Sequence, residues 1–205
     1  MSFVSFDFHP RIAAGIRAAG YTVPTPIQTQ AIPPILQGRD IIGLAQTGTG
    51  KTAAFALPIL QRLMQGPRGR VRALIVAPTR ELAEQIHDAI TELGRETRLR
   101  SATVYGGVSL QPQIARLRTG VEIVVACPGR LLDLLGQRAI DLSHVEMLVL
   151  DEADRMFDMG FLPDIRRILK QLPAERQTML FSATMPDDIR QLTAEILRRP
   201  VTVQI

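Results

Sequence analysis

The sequence predicts an α/β fold in which an open, doubly wound, mostly parallel sheet carries helices on both faces. Short apolar, β-branched runs recur along the chain, and such runs are typical of strands buried on both faces of a parallel sheet. Between them lie segments with apolar residues at helical spacing, for example 81–97 and 187–197. Regular alternation of strand and helix is the pattern of a doubly wound fold.

Seven strands are predicted from these runs, at 41–45, 73–77, 102–105, 122–126, 147–150, 178–181 and 201–205. In an open parallel sheet, ligands bind beyond the carboxyl ends of the strands. Polar or turn-forming clusters follow six of the predicted strands, at 43–52, 78–80, 106–107, 128–130, 151–152 and 182–184. We therefore expect the functional residues to gather on one rim of the sheet.

The segment after the first predicted strand is a candidate phosphate-binding loop. It reads Ala45, Gln46, Thr47, Gly48, Thr49, Gly50, Lys51, Thr52. A strand that turns through glycines into a helix aims backbone N–H groups and the positive end of the helix dipole at one point. Lys51 can then reach the outer phosphates, and the Thr52 hydroxyl can ligate Mg²⁺. The alternative is a glycine-rich turn, since Ala45 stands where the general pattern has glycine.

Two carboxylates follow the fifth predicted strand. Asp151 is well placed to hold Mg²⁺, in part through a water molecule, because this ion prefers oxygen ligands and keeps several waters. Glu152 would then orient and deprotonate the attacking water, while Lys51 and the metal stabilise charge. The alternative is that these acids only cap the following helix. The presence of a phosphate loop in the same chain favours the catalytic interpretation.

Composition excludes several classes of protein. A net charge of +4, from 24 basic and 20 acidic residues, permits a nucleic-acid partner without indicating one. A single cysteine, Cys127, excludes an internal disulfide and a cysteine-built zinc site, and we interpret it as an inert core residue. The sequence shows neither a secretory signal nor an apolar run of the roughly 18 residues that a membrane span needs. A cytoplasmic location is therefore expected.

Together these motifs resemble the N-terminal RecA-like domain of the DEAD-box RNA helicases of superfamily 2, over nearly the whole chain 1–205. Residues 151–154 spell the family name, Asp-Glu-Ala-Asp. The other matching segments are 20–28 for the Q motif with Phe3 as its upstream aromatic, 45–52 for motif I with the family's own alanine, 78–82 for motif Ia, 106–107 for the GG element, 127–130 for motif Ib and 182–184 for motif III.

The resemblance implies roles around ATP and its Mg²⁺. Gln28 would read adenine, because a side-chain amide offers one donor and one acceptor. Tyr21 and Phe3 would lie at the base, Tyr21 by stacking on it. Without the family, Gln28 is an ordinary polar residue near a helix start. Ser182 and Thr184 would link the acidic site, through hydrogen bonds near Asp154, to domain closure; the alternative for Thr184 is a helix cap.

The resemblance also implies an RNA-backbone path, largely independent of sequence. Its residues would be Pro78, Thr79, Arg80, Gly106, Gly107, Pro128, Gly129 and Arg130. Arginine and threonine suit phosphate oxygens, and glycine admits the backbone closely. The alternative for Arg80 and Arg130 is a surface ion pair. Cys127 stands where motif Ib usually has threonine, and a thiol is only a weak hydrogen-bond partner.

The family implies a second RecA-like domain, which carries arginine fingers and half of the RNA surface. Nothing after Thr184 resembles its motifs, so we expect this chain to be the nucleotide-binding half of an ATP-dependent RNA helicase. Alone it should be a monomer that binds ATP or ADP weakly and hydrolyses ATP barely. Two other interpretations stay open from sequence: a DNA-directed motor, and a non-catalytic nucleotide-gated RNA clamp or scaffold.

Overall fold

The computed structural model describes residues 2–205, so Met1, the first residue of the predicted domain 1–205, lies outside the described residues. Seven strands form one sheet in the order β3-β4-β2-β5-β6-β1-β7, and every pairing is parallel. The strands are β1 (Ile41–Leu44), β2 (Ala73–Val76), β3 (Ser101–Val104), β4 (Ile123–Ala126), β5 (Met147–Leu150), β6 (Gln177–Ser182) and β7 (Val201–Gln204). The predicted α/β fold class is confirmed.

A short 3₁₀ helix, Phe3–Phe6, and nine α-helices complete the described part of the chain. They are α1 (Pro10–Ala18), α2 (Pro26–Leu36), α3 (Lys51–Leu63), α4 (Arg80–Leu93), α5 (Leu110–Arg118), α6 (Pro128–Gly136), α7 (Ala153–Asp158), α8 (Leu162–Leu169) and α9 (Asp187–Ile196). None of these helices, within residues 2–205, has both the length and the apolar character to cross a membrane.

The predicted and observed strand ends differ by about one residue. The prediction ends two strands at Ala45 and Ala77, and in the structure each of these residues lies just beyond its strand. Both still continue the sheet hydrogen bonding, because Ala45 N donates to Ser182 O at 3.0 Å and Ala77 N donates to Ala126 O at 2.9 Å. The predicted helix 81–97 begins one residue earlier, because the Thr79 hydroxyl caps it by accepting from Leu82 N, and its predicted end is wrong, because the helix ends at Leu93 with Gly94 as its C-cap. The chain therefore leaves the sheet for the rim where the sequence placed the turns.

The sheet separates two apolar layers, one on each face. Strands β2, β4 and β5 are buried along their whole length, as continuous apolar runs predict. On one face Phe55 of α3 packs against Phe181 of β6, with ring centroids 5.5 Å apart. A Cβ at Gly43 would lie 2.4 Å from the Phe181 ring, so only glycine lets β1 approach it. This packing fixes β1 and α3, and with them the loop that joins them.

Candidate nucleotide and nucleic-acid site

The carboxyl ends of the parallel strands form one rim, and the strand order divides it into two halves. Strands β5, β6 and β1 are neighbours, and the loops that follow them form what we call the phosphate-loop half. Strands β3, β4 and β2 are neighbours as well, and the loops that follow them form the arginine half. The predicted nucleotide residues of these loops thus lie on one half and the predicted RNA-backbone residues on the other.

The candidate phosphate loop is closed by its own lysine. Gly48 and Gly50 have φ angles of 84° and 93°, a left-handed conformation that favours glycine. The buried Lys51 side chain donates from Nζ to the carbonyl of Ala45 at 3.0 Å, while Thr49 Oγ1 donates to the carbonyl of Gln46 at 2.7 Å. The ammonium group therefore already lies inside the loop that would cradle phosphates, bonded to a neutral carbonyl that a phosphate oxygen could replace.

Asp151 lies beneath this loop and is 2% exposed. Burial raises the pKa of its carboxyl group to about 6, against the opposing charge of Lys51. Its Oδ1 accepts from Glu152 N at 2.9 Å. The ammonium group of Lys51 stabilises this buried carboxylate only in part, so a divalent cation bound to its oxygens would stabilise it further. The carboxylate and the hydroxyl of Thr52 are both oxygen donors, so these residues fit Mg²⁺ bound together with phosphates.

Glu152 faces the phosphate loop through its side chain. Its Oε1 accepts from the hydroxyl of Thr47 and its Oε2 from Nη1 of Arg155, each at 3.2 Å. Its backbone is left-handed, with φ of 50° and ψ of 51°, and such strain in a residue other than glycine is often found at functional sites. Sequence reasoning gave Arg155 no role, although its position three residues after Glu152 on a helix start was a usable signal.

The acidic motif is joined to the end of strand β6 and the turn after it by three hydrogen bonds at Asp154. Its Oδ2 accepts from both the backbone N–H and the hydroxyl of Thr184, each at 2.9 Å, and its own N–H donates to Ser182 Oγ at 3.1 Å. Burial alone would raise the pKa of Asp154, but the hydrogen bonds from Thr184 and Ser182 outweigh burial and lower it. The contacts expected between these segments are therefore present, while their role in coupling remains a proposal.

Gln28 is 1% exposed and both polar atoms of its amide are bonded. Oε1 accepts from Thr25 N at 2.9 Å, and Nε2 donates to the carbonyl of Gly50 at 3.1 Å. The first bond belongs to a helix start, as the alternative interpretation held, and the second ties α2 to the phosphate loop. Each atom has the capacity for a second hydrogen bond, and its use by adenine remains a prediction.

The two aromatic residues predicted near the base contact each other. Phe3 and Tyr21 form an edge-to-face pair with ring centroids 6.0 Å apart, and Phe3 is 7% exposed. Burial, and then the charge of Glu92, raises the pKa of Tyr21. Of the residues predicted to contact the base, Gln28 forms a side-chain hydrogen bond to the phosphate loop, and the Tyr21 hydroxyl forms none within residues 2–205. The stacking role of Tyr21 remains a prediction.

In the arginine half, Arg80 is held by two side chains that sequence reasoning missed. Its guanidinium lies over the ring of Tyr105, 4.9 Å from the centroid, and its Nε is 3.5 Å from Oε1 of Glu84. The Tyr105 hydroxyl donates to the same oxygen at 2.5 Å. The spacing of Arg80 and Glu84, four residues apart on one helix, was the signal that could have found this group.

Arg130 is held differently. Its Nη2 donates to the carbonyl of Val108 at 3.0 Å and its Nε lies 3.8 Å from Asp133, while Nη1 is buried and bonds to nothing within residues 2–205. It thereby supports the loop that carries Gly106 and Gly107. Both arginines take part in ion pairs, as the alternative interpretation held, so a contact with RNA remains a proposal for each.

The remaining predicted positions of this half lie at helix starts and open backbone. Pro78 and Pro128 are buried, Pro128 as the first residue of α6. A Cβ at Gly107 or Gly129 would meet nothing within 4 Å, so both are open to a ligand. Burial, and then the charge of Glu81, raises the pKa of the Cys127 thiol to about 11, which agrees with an unreactive side chain.

Comparison with known sequences shows close relatives that are longer than this chain. The chain is 48% identical over 203 residues to ATP-dependent RNA helicase CshA of Listeria monocytogenes, covering 99% of this chain and 39% of that protein. It is 47% identical over 204 residues to DEAD-box ATP-dependent RNA helicase RhpA of Helicobacter pylori, covering 100% of this chain and 41% of that protein. The chain thus spans about two fifths of the length of these relatives.

Solved structures agree with this relationship. A DEAD box protein from Methanococcus jannaschii superposes with a TM-score of 0.93 at 37% identity, covering 100% of this chain and 56% of that one. A hypothetical ATP-dependent RNA helicase from Sulfolobus tokodaii gives 0.89 at 42% identity, covering 97% and 57%. The family model described as DEAD/DEAH box helicase matches residues 25–192. With the rim described above, these findings show that the chain belongs to the DEAD/DEAH box helicase family.

Proposed function

We propose that this chain is the nucleotide-binding half of an ATP-dependent RNA helicase that couples ATP hydrolysis to local unwinding or remodelling of RNA. The observation that carries the proposal is the convergence of Lys51, Asp151 and Glu152 at the loop 45–52. Asp151 is buried and its carboxylate interacts with the positive charge of Lys51, and Glu152 accepts a hydrogen bond from Thr47 of the loop. Metal ligand, phosphate-binding lysine and general base are the groups that phosphoryl transfer needs at one point.

ATP would bind with its phosphates on the loop 45–52 and its adenine at Gln28, Tyr21 and Phe3. Lys51 would exchange its bond to the Ala45 carbonyl for the outer phosphate oxygens. Thr52 and Asp151 would hold Mg²⁺, Asp151 in part through water, and the bound ion would neutralise charge on the phosphates. Family membership supports an ATPase, and ATPases of this kind use this ion.

Hydrolysis would use Glu152 as the base. Its Oε1 accepts from the Thr47 hydroxyl and keeps a further lone pair, so the carboxylate could still accept a proton from a water attacking at the loop. The bond from Thr47 would thereby hold the base beside the loop on which the phosphates would lie.

RNA would lie along the arginine half. The backbone path would use Thr79, Arg80, Arg130 and the open glycines Gly106, Gly107 and Gly129, with Pro78 and Pro128 shaping the loops. These groups suit phosphates rather than base edges, so binding would be largely independent of sequence. Because β2 lies beside β5, the loop after β2, with Arg80, neighbours the loop that carries Asp151.

Domain closure would complete the enzyme. A second RecA-like domain would bring arginine fingers to the phosphates, a contribution of roughly 10³–10⁵ in turnover for related reactions. The bonds from Ser182 and Thr184 to Asp154 would connect that closure to the acidic motif. The chain alone, expected to be a monomer, would therefore bind nucleotide weakly and hydrolyse little.

The test compares ATP hydrolysis by residues 1–205 with that of a version extended to the length of its relatives, each with and without single-stranded RNA. We expect turnover only in the extended protein and only with RNA. Equal turnover in both proteins would mean that residues 1–205 form a complete ATPase. Equal stimulation by a 2′-deoxy strand would instead favour a DNA-directed motor.

A further inference from the structure

A second group of arginines lies at the opposite end of the sheet from the rim, around the amino-terminal end of the edge strand β3. We call it the distal arginine cluster and define it as Arg68, Arg70, Arg98, Arg100, Arg116 and Arg118. All six residues are exposed. None of them forms an ion pair with a carboxylate within residues 2–205.

Hydrogen bonds hold the three segments of this cluster together. The buried carboxylate of Glu122 accepts from Gly69 N at 2.7 Å and from Arg100 N at 2.8 Å, and so joins the loop before β2 to the segment before β3. Arg100 Nη1 donates to the carbonyl of Thr119 at 3.0 Å, and Arg116 Nη2 donates to the first carbonyl of β3 at 3.3 Å. The end of α5 therefore meets the other two segments at one corner of the molecule.

Structural needs explain only part of this charge. Arg116 and Arg118 lie in the last turn of α5, where cations are favoured. That reason does not apply to Arg68 and Arg70, which lie in a loop before β2, or to Arg98, which follows α4 and has a positive φ of 60°. An accumulation of unpaired like charges opposes folding, so its presence suggests an acidic partner.

The acidic residues nearby leave the cluster strongly positive. Both carboxylate oxygens of Glu122 accept hydrogen bonds from backbone N–H groups. Glu96 is paired with Arg95 at 3.7 Å, and Arg95 is for that reason left out of the cluster. The carboxylate of Asp141 interacts electrostatically with Arg70 and also accepts a hydrogen bond from Ser143 N at 2.9 Å. These few carboxylates do not balance six exposed guanidinium groups.

We propose that the distal arginine cluster binds the phosphate backbone of RNA, as a second contact for the strand held at the arginine half of the rim; this inference rests on the proposed function. All of its charge is arginine, as is that of all but two of the 24 basic residues of the chain. Arginine presents a planar fork that binds phosphate oxygens in pairs, and this geometry suits a nucleic-acid backbone.

The position of the cluster also suits one continuous strand. β3 is an edge strand of four residues, roughly 13 Å long, with the cluster before it and Gly106 and Gly107 after it. No other strand covers this edge within residues 2–205. RNA that leaves the rim past the open glycines would therefore reach the cluster within a few nucleotides, and a longer RNA would contact both surfaces.

The test uses fluorescence anisotropy at low salt with the 205-residue chain and labelled oligouridylates of about 8 and about 24 nucleotides. The cluster variant is Arg70→Gln/Arg118→Gln, because neither side chain forms an ion pair in the described structure. The control is Arg39→Gln/Arg199→Gln, which removes the same charge near β7, about 29 Å away across the sheet. Circular dichroism verifies that both variants are folded.

We expect the cluster variant to bind the longer RNA about fivefold more weakly, with a salt slope of log K reduced by about 1.4 units for two lost phosphate contacts. Binding of the shorter RNA, and both affinities of the control, should change less than twofold.

An unchanged affinity of the cluster variant for the longer RNA overturns the inference, and so does an equal loss for both lengths or in the control. Displacement of the longer RNA by polyglutamate as effectively as by unlabelled oligouridylate of equal charge also overturns it, in favour of an acidic protein partner. If the unaltered chain binds neither RNA, the inference is overturned, whereas the proposed function is tested separately by the RNA stimulation of ATP hydrolysis in the extended protein. If the unaltered chain binds both RNAs and the cluster variant binds them with the same affinities, the failure is confined to the cluster.

Discussion

The two halves of the rim are built from the same kind of strand end, yet they hold their polar groups in opposite ways. In the phosphate-loop half, Gln28, Lys51 and Asp151 are 1%, 6% and 2% exposed, and each bonds to backbone within or beside the site. In the arginine half, the side chains of Arg80 and Glu84 are 47% and 45% exposed and bond mainly to each other and to a tyrosine.

This difference separates stability from function. Removing a partner from a buried polar group leaves the other without water or a hydrogen bond, at a cost of about 1–3 kcal/mol. Exposed ion pairs contribute about 0–1 kcal/mol, because water replaces either partner. Changes at the buried Gln28, Lys51 and Asp151 should therefore alter folding and chemistry together, whereas changes at the exposed Arg80 and Glu84 should alter only the affinity for a ligand.

The largest effect is expected from Glu152→Gln in the intact enzyme. The amide cannot accept the proton of the attacking water, so RNA-stimulated ATP hydrolysis should fall by about 10²–10⁴. ATP binding should remain within a few fold, because no phosphate contact is lost. Steady-state hydrolysis and equilibrium binding of a labelled ATP analogue measure the two quantities.

The matched control for this change is Glu195→Gln, which removes the same charge from a surface ion pair with Arg166. It should leave hydrolysis unchanged. Hydrolysis that persists in the Glu152 variant would show that another group is the base.

Gln28→Ala should produce the largest loss of stability. It removes the bonds to Thr25 N and Gly50 O and leaves a cavity in a fully buried site, so we expect a loss of about 2–4 kcal/mol in the free energy of unfolding. Urea denaturation of the 205-residue chain measures this quantity. Selectivity for ATP over GTP should fall in the same variant, because the amide that would read the base is gone.

Gln30→Ala on the same helix is the control, since this side chain is exposed. It should change the free energy of unfolding by less than about 0.5 kcal/mol. A Gln28 variant as stable as this control would contradict the link between α2 and the phosphate loop.

Asp151→Asn should increase stability while it abolishes hydrolysis. The folded pKa of about 6 lies above the ordinary value of 3.8, so the wild type loses stability as pH rises from about 4 through 6. Asparagine keeps the oxygen that accepts from Glu152 N and carries no charge. At pH 7 we expect a gain of about 1–3 kcal/mol, or about 2–12 °C in Tm.

The gain should shrink as pH falls and vanish about one unit below the ordinary pKa of 3.8, where Asp151 is protonated in both the folded and the unfolded chain. Thermal unfolding from about pH 3 to pH 7 measures it, and Asp88→Asn, at an exposed acid, should show no such gain. A difference in Tm that does not depend on pH would mean that burial of charge is not its cause.

The sequence predicted the rim well because its signals are local. Each apolar run ended at a turn, and parallel strands bring their ends to one edge, so the elements that carry Lys51, Asp151 and Arg80 could be placed without coordinates. The partners of these residues could not be placed. The bond between Gln28 and Gly50 joins residues 22 positions apart and depends on how α2 packs on the loop.

The same limit explains the pair formed by Tyr105 and Glu84. A helix position and a strand end become neighbours only when α4 lies across β3, which periodicity does not determine. The distal arginine cluster is a similar case, because its members come from three segments that only the fold brings together. Local pattern therefore predicted which residues lie at the site, and tertiary packing decided what each of them bonds to.

The smallest effect on stability, and the sharpest contrast between the halves, is expected for Arg80→Gln. The side chain is half exposed and Glu84 can turn to water, so the midpoint of urea denaturation should not change measurably. Affinity for single-stranded RNA should fall about threefold to tenfold at low salt, with a salt slope reduced by about 0.7 units for one lost phosphate contact.

Arg138→Gln, at another exposed arginine, is the matched control and should leave RNA affinity unchanged. If Arg80→Gln instead lowered stability as much as Gln28→Ala, the two halves would not differ as the exposed fractions indicate, and Arg80 would be a structural residue. If it lowered RNA affinity without any change in the salt slope, its contact would be with a base or sugar rather than with a phosphate. We expect the loss of RNA affinity to vanish at high salt while stability stays constant. That result would support the contrast between an exposed ligand surface at Arg80 and a buried site at the phosphate loop.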